Sequence, residues 1–171
     1  MPKKVIIAGG GIGGLSAALA MHALTALGVQ DKIIALGFLP QNATMRHYQT
    51  AKTYLQMPLG SAIEQKYGAP YVHIHRADLH KILYQSALER GVKITLNARV
   101  KSYKQVNTSN AQQVKAELAD GGELHCDVLI GADGIRSSIK KCMLPQSEIQ
   151  FTGQVAWRGT IKSQNVPKGR T

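Results

Sequence analysis

Apolar positions along this chain change period several times, and each change marks an element. Val5, Ile6, Ile7 and Ala8 form a short run of strand type that ends in a glycine cluster, and the following LSAALAMHALTAL is rich in strong helix formers up to Gly28. The pattern predicts strand, glycine turn and helix in succession. Residues 31–36 carry an apolar run too short to type, so a short helix closed by Gly37 and a buried strand both fit. Residues 44–57 predict a hairpin turning near 50–52, and 70–75 predict a further extended piece after the break at Gly68. Leu79, Ile82, Leu83 and Ala87 recur at helical spacing, with Asp78 placed in the first turn and Gly91 as the stop. Further strands are predicted at 92–96, 99–106 and 113–119, then a turn at Asp120-Gly121-Gly122 and a return strand over 123–130. That order reads as a parallel-sheet strand followed by an antiparallel meander, hence an α/β fold, and the tail from Ile135 to Met143 predicts one more helix.

Composition narrows the class without changing this picture. A chain of 171 residues with 44% hydrophobic and 18% charged positions has enough apolar material for one ordinary domain with a core. Cys126 and Cys142 lack metal-ligand or redox spacing, which predicts two reduced thiols and a cytoplasmic setting. Lys3 and Lys4 ahead of the apolar stretch superficially resemble a secretion signal, but five of the six positions from Gly9 to Gly14 are glycine, which argues against one. No stretch approaches the roughly 18–20 apolar residues of a spanning helix, so no membrane association is expected. The net charge of +11 would suit a polyanionic partner. The basic residues are scattered from Lys3 to Lys168 with few interleaved aromatics, however, so a solvated surface explains them and no nucleic-acid partner is expected; a basic polyanion binder ranks last among the readings.

Gly9-x-Gly11-x-x-Gly14, with Gly13 beside it, stands between the predicted strand and helix as a dinucleotide-binding turn requires. Gly9 permits the tight turn, Gly11 lets the backbone approach a pyrophosphate, and Gly14 lets helix pack on sheet. The phosphate would sit at the helix N-terminus, where free N–H groups point outward. Such turns are usually completed by an acidic residue at the end of the second strand, for the ribose hydroxyls. Here Asp31 precedes the 32–36 run instead of following it, and no residue in the pattern takes that place.

Three further segments carry a specific resemblance. CDVLIGADGIRSSIK, residues 126–140, supplies an apolar strand, Asp133, Gly134, Ser137, Ile139 and Lys140; HIHRADLH, residues 73–80, supplies an Arg-x-Asp-Leu element at Arg76; and FTGQVAWRGTI, residues 151–161, supplies Trp157 and Arg158. Together with the glycine turn these resemble the FAD-dependent aromatic-ring monooxygenases, the flavoprotein hydroxylases, most closely their salicylate-hydroxylase-like members. Lys140 stands where that family usually has Arg, which keeps the charge but loses the bidentate fork. The resemblance implies that Arg76 reaches FAD and that Asp133 and Gly134 take part in FAD and NAD(P)H binding. His73, His75 and His80 are read as ordinary polar residues and not as a metal site, because no carboxylate or cysteine completes a ligand set.

The same resemblance implies a Rossmann-like FAD/NAD(P)-binding domain with a β-meander over residues 1–150. Residues 44–75 would be an extended insertion of substrate-domain type, and 151–171 would open the antiparallel sheet of the substrate domain. It implies NAD(P)H as co-substrate, dioxygen, and hydroxylation of a small aromatic compound by the flavin, so no catalytic side chain need appear in the sequence. Against the family pattern the chain is expected to be truncated and internally shortened, passing from the first helix to a region well beyond the second strand. A noncatalytic remnant that keeps only a nucleotide cradle is the alternative.

Overall fold

A computed structural model describes residues 3–12, 15, 28–68, 70–107, 112–157, 159 and 161–165. Gly13, Gly14, Arg158 and most of the helix expected after the glycine turn lie outside the described residues. In chain order the elements are β1 (Val5–Ala8), α1 (Gln30–Leu36), β2 (Asn42–Arg46), β3 (Thr53–Pro58), α2 (Gly60–Tyr67) and α3 (Arg76–Glu89). They continue with β4 (Val100–Asn107), β5 (Gln112–Leu118), β6 (Glu123–Cys126), β7 (Val128–Gly131) and α4 (Ser138–Met143).

β1 and β7 pair in parallel from Val5↔Val128 to Ala8↔Gly131, although more than a hundred residues separate them. β4, β5 and β6 form the antiparallel meander, joined at Asp120-Gly121-Gly122, where Gly121 has φ +89° and the Asp120 side chain accepts from the Gly122 N–H at 2.9 Å. α4 closes over these two sheets: Ile139 is buried with Ala8, Val100 and Ala116, so one small cluster joins the parallel pair, the meander and the helix. A second cluster unites Leu15, Val29, Ile82, Leu83 and Ala87, with Ile33, Val92 and Ile94 packed against it. It seats α1 and α3 together. Leu83 is 2% exposed at its centre. Leu83→Ala is therefore expected to cost about 2–5 kcal/mol, read as a lower urea midpoint at unchanged slope.

α3 follows the predicted spacing, with Asp78 in its first turn and Gly91 just past its end at φ +76°. The ambiguous 31–36 run is helical and ends at Gly37. The expected hairpin is present as β2 and β3. His47 organises its turn by accepting from the Gln49 and Thr50 amides through Nδ1, at 3.3 and 3.2 Å.

Four expectations need correction. Residues 92–96 form no strand; Val92 and Ile94 satisfy their apolar character by packing beneath α3, and the Val92 N–H returns to the Ala87 carbonyl. Residues 70–75 reduce to one bridge, His73 exchanging both backbone bonds with Phe38. The return strand 123–130 is two strands broken at Asp127, whose carboxylate accepts from the Lys4 N–H at 2.6 Å and from Gln113 Nε2 at 3.3 Å. That break lets the chain leave the meander and enter the parallel pair. Residues 151–157 lie in no strand, and Phe151, Val155 and Trp157 are exposed. An alternating pattern without a neighbouring strand has no ladder to join. One α-helix was not foreseen: α2, built from good helix formers and ended by Gly68 at φ +73°.

Candidate functional site

The parallel register brings the two glycine-containing motifs to one place. Ala8↔Gly131 is the last pair, and the Ala132 N–H then donates to the Ala8 carbonyl at 2.7 Å, so the turns after β1 and β7 leave the sheet side by side. Gly9 lies directly against the second motif. It has φ +120°, and a Cβ built there would stand 2.2 Å from the Ala132 oxygen. Gly10 and Gly11 differ: among the described residues a Cβ on either would meet nothing within 4 Å. This open side is the feature a pyrophosphate needs, and it lies at the carboxyl end of parallel strands, where ligands of such sheets bind. Gly134, at φ +83° and equally open, flanks the same region. The residues present thus fit a dinucleotide on the side where sequence spacing predicted one.

Asp133 is committed to local structure. Its Oδ1 accepts from the Ser137 hydroxyl at 2.5 Å, while Oδ2 accepts from the backbone N–H groups of Ser138 at 2.7 Å and Ile139 at 3.4 Å. Ser137 in turn caps α4 by accepting from the Lys140 N–H at 2.8 Å. A carboxylate offers about four acceptor positions, so one remains for a ligand. Burial works against the charge on Asp133, but the Ser137 hydroxyl and the amides outweigh it and hold the carboxyl below its ordinary range. A depressed carboxylate stabilises the fold above its unfolded pKa, and that stability is lost as pH falls through the folded value. Asp133→Ala is expected to cost about 1–2 kcal/mol near neutrality, as for loss of a helix cap. The stability curves of variant and parent should converge below the ordinary carboxylate range; parallel curves down to strong acid would show that the charge contributes nothing.

Arg76 opens α3 and is exposed, and among the described residues it forms no ion pair. One helical turn later on the same face, His80 meets the glycine turn: its Nε2 lies 2.7 Å from the Gly10 carbonyl oxygen. The N-terminal half of α3 therefore stands beside the glycine turn. Sequence reasoning missed His80. The available signal was its spacing of four from Arg76, which puts both on one helical face. His73 instead approaches the Tyr71 hydroxyl, 3.4 Å away, and among the described residues no group of three potential metal ligands forms.

Two other features stand apart from this site. Burial pushes the Cys126 thiol up, which makes it a structural side chain and not a nucleophile. An open groove of about 260 Å³ between the meander, β7 and α4 is lined by Tyr103, Gln105, Asp127, Leu129 and Met143. It draws on the amino end of β7 and so does not adjoin the glycine turn. No helix of the described residues is long and apolar enough to cross a membrane.

Residues 19–166 match the FAD binding domain family. The chain is 29% identical to 3-hydroxybenzoate 6-hydroxylase 1 of Aquipseudomonas alcaligenes, over 98% of this chain and 50% of that protein. It is 30% identical to 3-amino-4-hydroxybenzoate 2-monooxygenase of Streptomyces cremeus, over 88% of this chain and 36% of that one. The structure of Klebsiella pneumoniae HpxO complexed with FAD superposes with a TM-score of 0.66 at 22% identity, covering 82% of this chain and 42% of that one; at this identity the likeness shows the fold. The chain thus spans half or less of the length of these proteins. The first match runs over 199 positions yet draws on 98% of 171 residues, so roughly 30 positions of that relative have no counterpart here. The chain is internally shortened.

Proposed function

This chain belongs to the FAD binding domain family of the flavoprotein hydroxylases, and from that premise we propose that it is the cofactor-binding portion of a monooxygenase. The whole protein would hydroxylate a small aromatic compound with NAD(P)H and dioxygen. The observation that carries this reading is the open backbone beside Gly10 and Gly11 at the carboxyl ends of β1 and β7, abutting the Ala132–Asp133 peptide. The names of the two curated relatives support the substrate class, since both act on substituted hydroxybenzoates.

In this reading the backbone of Gly9, Gly11, Gly13 and Gly14 holds the pyrophosphate of FAD, and Gly134 leaves room beside it. Arg76 supplies positive charge to the same anion. Asp133 keeps the turn after β7 in shape by capping α4, with one acceptor position left for a hydroxyl. Bound flavin supplies the redox chemistry, and the protein orients it. We read residues 1–150 as the FAD-binding portion, 44–75 as an insertion that faces the substrate side, and 151–171 as the start of the substrate-binding portion. The exposed apolar positions of β2 and β3 support the insertion, because Ala43, Met45, Leu55 and Met57 share one face of a hairpin that needs cover. Two free cysteines support a cytoplasmic setting.

A second reading, a nucleotide-binding module without turnover, is favoured by one observation. Residues 30–36 form a helix with Asp31 in its first turn, so no acidic residue stands at the end of a second strand to take the ribose. Visible absorbance of the purified chain and titration with FAD separate the two. Flavin bands that survive desalting, with NAD(P)H oxidation stimulated by hydroxybenzoates, support the enzyme. A yellow chain without such oxidation supports the module. A folded, colourless chain that ignores added FAD overturns both.

A further inference from the structure

We propose that His80 is a positioning residue for the glycine turn, holding the Gly10–Gly11 peptide in the orientation a dinucleotide phosphate needs. The partner of Nε2 is a carbonyl oxygen 2.7 Å away, so Nε2 carries the proton and donates. A trans peptide is planar and sets the carbonyl of one residue opposite the N–H of the next. A bond on the Gly10 oxygen therefore turns the Gly11 N–H away from α3. The following peptide is held as well, because the Gly11 carbonyl accepts from the Leu15 N–H at 3.0 Å. Gly10 and Gly11 have no side chains, and among the described residues nothing stands within 4 Å of where a Cβ would be, so no side-chain packing there stops these peptides from flipping.

His80 is itself held in place. Its ring stacks on Tyr84, centroids 6.5 Å apart and 15° from parallel, and buried Ile82 and Leu83 anchor the helix between them. The bond to Gly10 spans 70 positions of sequence, so it ties the turn to the body of the fold and not to its own neighbours. The contact stands independently of any ligand; its consequence for FAD rests on the function proposed above.

Three proteins test this: the parent chain, His80→Phe, which keeps a ring to stack on Tyr84 but has no donor, and His80→Gln, whose side-chain amide donates from a similar reach. In the ligand-free chain, exchange of the Leu15 amide reports the order of the turn. It is expected to quicken about five- to tenfold in His80→Phe, the scale of one neutral hydrogen bond, and to return to within about threefold of the parent in His80→Gln. FAD dissociation constants should follow the same order. Quickened exchange with rescue by glutamine, but no FAD bound by any of the three, supports the positioning role and counts against the FAD reading alone. Unchanged Leu15 exchange in His80→Phe overturns the proposal whatever FAD does. Equal effects of phenylalanine and glutamine also overturn it, because restoring a donor would then not restore the turn. His80→Leu repeats the donor-free measurement should the phenylalanine variant aggregate.

Discussion

Gly9→Ala is expected to remove about 2–6 kcal/mol of stability, seen as a large fall in the urea midpoint. The added methyl would stand 2.2 Å from the Ala132 oxygen, 2.5 Å from its carbon and 2.9 Å from the Asp133 nitrogen, all backbone atoms that cannot swing aside. The residue also holds φ +120°, a conformation side-chain-bearing residues rarely adopt. Overpacking of this kind costs about 1–3 kcal/mol and the backbone strain about as much again. The sum, about 2–6 kcal/mol, reaches the lower end of the roughly 5–15 kcal/mol that holds an ordinary domain together. The affected contact is also the one that sets β1 beside β7, so relief by local movement would disturb the cluster around Ala8 and Ile139. Circular dichroism with urea titration checks this. A variant whose midpoint matches the parent would mean that the turn does not rest on Ala132.

Gly11→Val is expected to do the opposite. Its Cβ would meet nothing within 4 Å among the described residues, so the protein should unfold at the parent's urea midpoint, within about 0.5 kcal/mol. FAD affinity should nevertheless fall at least about 100-fold, because an isopropyl group would occupy the open side against which a pyrophosphate must lie. Isothermal titration with FAD measures the loss. Unchanged affinity would remove Gly11 from the cradle, and an unfolded variant would mean that the space beside it is filled by the chain itself. Two glycines two positions apart in one motif are thus expected to fail in different ways, one by folding and one by binding.

Much of this protein is legible in its sequence because the signals are local. The strand and glycine turn at 5–11, the α3 spacing with its Gly91 stop, and the hairpin turn at Asp120-Gly121-Gly122 each depend on residues within a few positions of one another. Periodicity and turn chemistry record such elements faithfully. Motif spacing likewise marked Gly9 and Gly11 as candidates for a phosphate turn, and the family resemblance added Arg76, Asp133 and Gly134.

What only the tertiary structure decided are the matters settled by partners far along the chain. Residues 92–96 and 113–118 are both apolar enough for strands, but only the second has a ladder on offer, while the first is absorbed beneath α3. Asp127 gives no local sign of ending a strand; the Lys4 amide, 123 positions away, makes it the point where the chain changes sheets. Asp133 reads as a ligand in sequence, yet the Ser137 hydroxyl and two amides of α4 claim three of its acceptor positions because the helix starts within its reach. His80 reads as an ordinary polar residue until α3 packs against the glycine turn and sets its ring on the Gly10 carbonyl. Sequence by itself determined the elements whose signals lie among near neighbours, such as β1, α3 and the Asp120-Gly121-Gly122 turn. The fold decided which hydrogen-bonding groups were already taken, since a donor or acceptor is free for a ligand only when no distant part of the chain has reached it first.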